Sequence, residues 1–135
     1  DFFRIIKVMS SSISFHPFIS HFPIALFVAG ICLLGLAYIR DDARKVAAAC
    51  INLAMGFLTA VLAVFSGLLS SDLGMRSTVE VQGHQGFSFA FVVLYAFCTA
   101  YAYIKAFSGA AIIFYGLNFL ALCASAYSGY ALAFR

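Results

Sequence analysis

Hydrophobic positions divide the chain into four long apolar runs that short polar segments separate. The runs cover about residues 17–39, 46–69, 84–104 and 109–134. At about 1.5 Å per residue, a helix of roughly 20 residues crosses the hydrocarbon core of a bilayer, which is about 30 Å thick. Four such spans with short connections predict an all-α membrane protein, a four-helix up-down bundle that forms one domain over residues 1–135.

The segment before the first span has a different pattern. In residues 1–13, polar side chains recur every three to four positions between apolar ones, at Asp1, Arg4, Lys7 and Ser11. This spacing is typical of a short amphipathic helix that lies on the membrane surface. The sequence therefore predicts a short N-terminal interfacial helix.

Prolines and glycines shape the first span. Pro17 suits a first helical turn, where its missing N–H is no loss, whereas Pro23 should bend the helix close to His21. Gly30 and Gly35 lie deeper in the span. We expect them to provide small faces against which another helix or a flat ligand can pack.

Composition agrees with a membrane protein. The chain is 64% hydrophobic and only 10% charged, with a mean hydropathy of +1.04, whereas soluble proteins are about 45–50% apolar and about 25% charged. No basic patch with interleaved aromatic residues is present in the sequence, which excludes nucleic acid as an expected partner. The sequence also has no hydrolase, P-loop, CxxC or CxxCH motif.

The even number of spans decides which residues share a face of the membrane. In an up-down bundle, His16, His21 and His84 lie at one face, together with the loop at 70–83. The connections at 40–45 and 105–108 lie at the other face. All three histidines of the chain are therefore predicted at one end of the bundle.

A group of imidazoles at membrane depth is a candidate cofactor site, because ionisable groups there are costly and are usually functional. His21 lies about one turn inside the first span, and His84 opens the third. Two neutral imidazoles from facing helices bind haem iron and give a centre for electron transfer. We expect haem b between His21 and His84, with His16 as an alternative ligand.

Further polar residues are candidates for the same site. Asp72 and Arg76 are expected to bond the outer nitrogens of the ligands or the haem propionates. Tyr130 fits an aromatic belt at the interface, or it bonds a propionate or a quinone. A non-haem alternative stays open, because His16, His21, His84 and Asp72 also form a set of ligands for zinc, copper or iron.

Two asparagines lie within the apolar runs, Asn52 in the second and Asn118 in the fourth. Amide side chains at such positions often bond between helices. We expect both asparagines to do so. A role in a proton or quinone path is the alternative.

Short motifs along most of the chain resemble a family of small bacterial membrane proteins, domain of unknown function 2231. The matching segments are His16-Pro17, His21 to Leu26, Gly67 to Leu69 with Asp72, and His84. The close of that family, a Gly-Gly pair and then Leu-Val-Tyr, is only partly matched by residues 128–132. The resemblance implies a four-helix membrane module, relatives of which are joined to c-type cytochrome domains, and a periplasmic histidine face.

Charge alone does not orient the chain. Each membrane face carries four Arg or Lys residues, and only the tight cluster of Arg40, Arg44 and Lys45 favours a cytoplasmic location for its own face. With the resemblance, this predicts a multi-pass protein of the bacterial inner membrane whose histidines face the periplasm.

These observations predict an electron-transfer or structural subunit more than a self-contained enzyme. The leading hypothesis is a b-type cytochrome-like subunit that relays electrons between the quinone pool and a periplasmic cytochrome or a larger redox complex, with haem b and a quinone as ligands and membrane lipid around it. The alternatives are a non-haem metal protein using the same histidines and a structural subunit without a cofactor.

Overall fold

The computed structural model describes residues 15–73 and 78–133, and within these residues all regular secondary structure is α-helical. The four helices are α1 (Phe15–Arg40), α2 (Ala43–Leu73), α3 (Val79–Lys105) and α4 (Gly109–Ala133). Each is long and apolar enough to cross a membrane. The prediction of an all-α, four-helix membrane bundle is confirmed. The interfacial helix predicted for residues 1–13 lies outside the described residues.

Helices α2 and α3 begin earlier than the apolar runs that predicted them. Asp42 caps α2, because its carboxylate accepts a hydrogen bond from the backbone N–H of Arg44 at 3.0 Å. Thr78 caps α3 by accepting a bond from the N–H of Val81 at 3.3 Å. Hydropathy marks only the part of a helix that lies in lipid, whereas caps mark where the helix itself begins.

Neighbouring helices pack in chain order, α1 on α2, α2 on α3 and α3 on α4. The α1–α2 contact is close at Gly30, where an added Cβ would lie 2.9 Å from the Cδ2 atom of Leu53. Gly35 has nothing within 4 Å of its Cβ position, so it takes no part in helix packing among the described residues.

Two buried thiols join neighbouring helices. Cys50 of α2 donates a hydrogen bond to the carbonyl of Ala102 in α3 at 3.3 Å. Cys98 of α3 donates to the carbonyl of Phe114 in α4, also at 3.3 Å. Both act as small core residues with a weak S–H donor, as cysteines in apolar runs usually do.

Aromatic side chains fill the middle of the bundle. Tyr95 of α3 is fully buried, and its ring centre lies 5.2 Å from that of Phe27, 5.3 Å from that of Phe91 and 6.4 Å from that of Phe57. These rings come from α1, α2 and α3. They close the interior below the end of the bundle that carries the histidines.

Helices α1 and α4 meet less closely than the other neighbours. Between them, in the half of the bundle away from the histidines, lies an apolar groove of about 710 Å³. It runs from Phe27 to Tyr38 on α1 and from Ile112 to Phe119 on α4, with Phe107 near its end. Large apolar side chains on the outer faces are exposed here and elsewhere, as contact with lipid requires.

The two asparagines do not bond between helices, so that prediction was wrong. The side-chain amide of Asn52 donates to the carbonyl of Ala48 in its own helix at 3.0 Å. Asn118 is fully buried, and neither its amide nitrogen nor its oxygen has a partner among the described residues. The Asn52 amide lies one turn from a carbonyl of its own helix and bonds it, so it needs no partner on a neighbouring helix.

Candidate functional site

A cavity of about 550 Å³ lies at the end of the bundle where α1 and α3 begin and α2 and α4 end. All four helices line it, and its walls are mostly apolar. His16, His21 and His84 all contribute to its lining, so the prediction that the three imidazoles gather at one end of the bundle is confirmed. Its volume is in the range of pockets that hold small ligands, about 300–1,000 Å³.

Two of the three imidazoles form a pair. The ring centres of His16 in α1 and His84 in α3 lie 6.2 Å apart, and their planes meet at 75°. Both side chains are half-buried. The pair therefore links two helices across the cavity.

His16 is held by α2. Its Nδ1 atom lies 2.9 Å from the carbonyl oxygen of Ala63 and 3.0 Å from the Oγ atom of Ser66. A carbonyl oxygen only accepts hydrogen bonds, so Nδ1 carries the proton and donates it. The Nε2 atom of the neutral ring then keeps its lone pair and is the atom that can bind a metal.

His84 is held by α4 in the same way. Its Nδ1 atom lies 2.9 Å from the Oγ atom of Ser128. The Oγ atom of Ser128 also lies 3.0 Å from the carbonyl oxygen of Ser125, and a hydroxyl that donates to this carbonyl leaves its oxygen to accept from the ring. Among the described residues, neither Nε2 atom of the pair has a hydrogen-bond partner.

A glycine lies beneath each ring of the pair. A Cβ added to Gly67 of α2 would lie 2.8 Å from the Cε1 atom of His16, and one added to Gly129 of α4 would lie 3.0 Å from the Cε1 atom of His84. Both distances are shorter than ordinary contacts of a Cβ atom. The two imidazoles therefore occupy space that any other residue at these positions would fill.

His21 takes a different place. It lies on an exposed part of α1, and its Nδ1 atom bonds the carbonyl of Pro17 one turn earlier in the same helix. It lines the cavity but is not in the imidazole pair. The geometry thus favours His16, the predicted alternative ligand, as the partner of His84.

Of the other predicted site residues, the structure describes the side chain of only one, Tyr130. Tyr130 of α4 lines the cavity and is largely exposed at its rim. Asp72 belongs to the last turn of α2, but its side chain is not among the described parts of the chain, and Arg76 lies outside the described residues. The predicted bonds of Asp72 and Arg76 to the site stay predictions.

The free space continues on the other side of the imidazole pair. A second cavity of about 280 Å³ is also lined by His16 and His84, and it shares Ser88 with the first. Gly67 and Gln85 contribute to its walls. The two rings thus lie between two adjoining spaces.

Comparison with known proteins does not assign the site. The chain matches no protein-family model, no curated protein and no solved structure. The resemblance to domain of unknown function 2231 therefore stays a prediction, and the function has to be inferred from the imidazole pair and its surroundings.

No role at the site was predicted for the residues that hold the two rings, which are Ser66, Gly67, Ser128 and Gly129, although Gly67 and residues 128–132 lie in segments of the family resemblance. A trace of them is visible in the sequence, since a Ser-Gly pair recurs near the end of the second and fourth apolar runs. Serine and glycine are common in membrane helices as packing residues. Only the helix register shows that these pairs meet the histidines.

Proposed function

We propose that the chain is a membrane-embedded electron-transfer subunit that holds one haem b between His16 and His84. The observation that carries the proposal is the imidazole pair, whose ring centres lie 6.2 Å apart in a cavity walled by four helices. Each ring is hydrogen-bonded at Nδ1, which leaves Nε2 to bind iron.

The number of ligands supports haem over a bare metal ion. A porphyrin supplies four nitrogens, so its iron needs only two imidazoles from the protein. Structural and catalytic zinc sites take three or four protein ligands. Among the residues that the structure describes, no three His, Cys, Asp or Glu side chains come close enough to hold a metal together.

The spacing of the rings also supports the proposal. One metal centre can take a nitrogen from each of two imidazoles only if their rings lie close together. His16 and His84 have this spacing before any ligand is considered. His16 and His84 are therefore the residues that would hold the haem iron.

The surroundings suit a centre that moves electrons and does no other chemistry. Bound haem with two histidine ligands supplies reversible one-electron transfer. Phe91 and Leu122 line the cavity with apolar surface and limit the access of water to the site. His21 and Tyr130 are polar side chains in the lining of the cavity, where haem propionates or a quinone headgroup would meet them.

The proposed haem site suggests a wider function for the chain in electron transfer. Electrons would pass between the quinone pool and a periplasmic cytochrome or a larger redox complex, with the histidine end at the outer face of the bacterial inner membrane. A quinone dissolved in the bilayer can approach the exposed rim directly. We propose the periplasmic cytochrome or redox complex as electron partner together with the haem site.

The test is an absorption spectrum of the full chain purified from membranes with haem supplied. We expect a Soret band, a reduced-minus-oxidised difference spectrum of the b type and a pyridine haemochrome with one haem per chain. Absence of all three would overturn the proposal. Zinc, copper or iron bound without porphyrin would show the non-haem alternative instead.

Substitutions then identify the ligands. His16→Ala and His84→Ala should each abolish the bis-histidine spectrum, because each removes one axial nitrogen. His21→Ala should keep it, whereas a loss there would favour the pair His21 and His84. Cys32→Ala serves as the control, since Cys32 lies on α1 in the other half of the helix.

A further inference from the structure

The chain consists of two helical hairpins with matching polar positions. The first hairpin, α1 and α2, has His16 and Ser20 four residues apart at its start and Ser66-Gly67 near its end. The second, α3 and α4, has His84 and Ser88 with the same spacing and then Ser128-Gly129. Helices α1 and α3 run in one direction and α2 and α4 in the other, as in tandem repeats about an axis along the membrane normal.

The contacts of the two histidines repeat as well. In each hairpin, the histidine of the first helix bonds through Nδ1 to the serine of the second helix, at 3.0 Å for Ser66 and 2.9 Å for Ser128. In each, the ring also lies against the glycine that follows this serine. Each hairpin therefore supplies one half of the pair.

Both serine hydroxyls also bond a carbonyl of their own helix. Ser66 donates to the carbonyl of Ala63 at 2.8 Å, and Ser128 donates to the carbonyl of Ser125 at 3.0 Å, three residues earlier in each helix. With the proton used there, each oxygen presents a lone pair to the imidazole. A lone pair accepts a bond from Nδ1–H and disfavours the other tautomer.

We propose that Ser66 and Ser128 are a matched pair of positioning residues that hold His16 and His84 as Nδ1–H tautomers, with both Nε2 atoms available to one metal centre. The glycine after each serine allows the ring to lie flat against the helix. The inference rests on the proposed function in naming haem iron as the centre. The tautomers themselves can be tested without haem.

The first experiment measures haem binding by the full chain. Loss of a bond that orients a metal-binding histidine typically weakens metal binding about 10- to 100-fold. Ser66→Ala and Ser128→Ala should each weaken haem binding in this range and shift the midpoint potential. Ser128→Thr, which keeps a hydroxyl, should restore most of the binding.

The matched control is Thr59→Ala. Thr59 lies on α2, as Ser66 does, and its hydroxyl donates to the carbonyl of Gly56 three residues earlier, but it does not touch a histidine. Equal effects of Thr59→Ala and Ser66→Ala would overturn the positioning role and leave the haem site intact. Thermal melting of each variant separates a misfolded chain from a changed site.

The second experiment reads the tautomers directly in the chain without haem. In the full chain with ¹⁵N-labelled histidine, reconstituted in lipid at neutral pH, nitrogen chemical shifts distinguish a protonated from an unprotonated ring nitrogen. We expect Nδ1–H for His16 and His84, and a mixture of tautomers at His84 in Ser128→Ala. The nitrogen signals that disappear in His21→Ala belong to the His21 ring, and the remaining signals belong to the pair. An Nε2–H tautomer at either ring would overturn the inference, whether or not haem binds.

Discussion

At the scale of single residues, glycine and serine decide where the imidazoles lie. His16 and His84 were identified from the sequence because ionisable groups are rare in apolar runs. Their partners Ser66 and Ser128 were not, because a hydroxyl in a membrane helix usually bonds a carbonyl of its own helix. Here the hydroxyls do that and also accept from a ring. The two histidines were predictable as candidates, but their positioning needed the register of two helices.

Gly129→Ala should disturb the site without unfolding the helix. The added Cβ would lie 3.0 Å from the Cε1 atom of His84, so the ring must move by a few tenths of an ångström. Alanine is otherwise favoured over glycine in a helix by up to about 1 kcal/mol. We expect equal or higher thermal stability together with a changed chemical shift of the His84 ring.

Gly116→Ala in the same helix is the matched control, because nothing lies within 4 Å of its Cβ position. It should raise thermal stability and leave the His84 chemical shift unchanged. An unchanged shift in both variants would mean that the close contact of His84 with Gly129 is absent.

Asp42 makes the start of α2 sensitive to acid. The Lys45 ammonium beside it, and the backbone N–H groups of Arg44 and Lys45, hold the pKa of this carboxyl below its ordinary value of about 4. A lowered pKa in the folded state gives stability that is present above the ordinary pKa and is lost as pH falls through the lowered one. We expect the amide of Arg44 to lose hydrogen-exchange protection below pH of about 4.

Asp42→Asn tests the cause of this pH dependence. Asparagine is also a good helix cap, but it carries no charge and does not titrate. The amide of Arg44 should keep partial protection in this variant, and its protection should no longer change with acid. The same pH dependence in Asp42→Asn would show that another group is responsible.

At the scale of helices, the contacts between α3 and α4 place two buried polar side chains, those of Tyr95 and Asn118, at the same level of the bundle. The hydrogen bond between Ser88 and Ser125 and the bond from Cys98 to the Phe114 carbonyl set an antiparallel register. In this register Tyr95 of α3 lies at the level of Asn118. The Tyr95 hydroxyl and the Asn118 amide are buried and lack partners among the described residues.

Asn118→Leu should therefore stabilise the bundle. An unpaired buried polar group costs about 1–3 kcal/mol in desolvation, and leucine, which has the same branching of heavy atoms but no polar atom, removes this cost. Thermal unfolding in detergent or lipid should show a higher midpoint than that of the parent chain. A lower midpoint would show that Asn118 bonds a group that the bundle needs.

Asn52→Leu is the comparison for this prediction. Asn52 is half-buried, and its amide is already bonded to the Ala48 carbonyl. Its replacement should change the midpoint less than that of Asn118. Equal gains for both would indicate a general effect of added hydrophobicity in the membrane helices.

At the scale of the whole molecule, the sequence predicted the architecture well. Hydropathy found all four helices, and counting them gave the common end of the histidines, because an up-down bundle leaves no other arrangement. The sequence did not show which of His16 and His21 faces inward and pairs with His84. Both lie on α1 near the same end, and only packing of the helix on α2 shows that His16 faces inward while His21 is exposed.

The two hairpins match at the site but not over their whole length. At the histidine end each hairpin contributes one ring, one serine and one glycine. At the other end α2 packs on α3, whereas α1 and α4 leave a groove of about 710 Å³. The two hairpins therefore agree most closely where the imidazoles meet.

The orientation of the bundle is the last prediction, and it can be tested with single added cysteines. Gly83→Cys lies at the histidine end in an open position, and Arg44→Cys lies at the opposite end, where the Arg44 side chain is 97% exposed. A periplasmic histidine end predicts that a membrane-impermeant maleimide labels Gly83→Cys in intact spheroplasts. Arg44→Cys should be labelled only after lysis, because the cluster of Arg40, Arg44 and Lys45 favours the cytoplasm.

Labelling of the unsubstituted chain measures the background from native cysteines, because Cys32 on α1 and Cys123 on α4 are exposed. Their thiols lie at least two helical turns from the nearest end of their membrane-spanning helices, whereas positions 83 and 44 lie close to the starts of α3 and α2. A polar reagent should therefore reach the two native thiols poorly. The reverse pattern, with Arg44→Cys labelled before lysis and Gly83→Cys only after it, would place the imidazole pair at the cytoplasmic face. The proposed electron partner in the periplasm would then be out of reach, whereas the proposal that His16 and His84 bind haem would be unaffected.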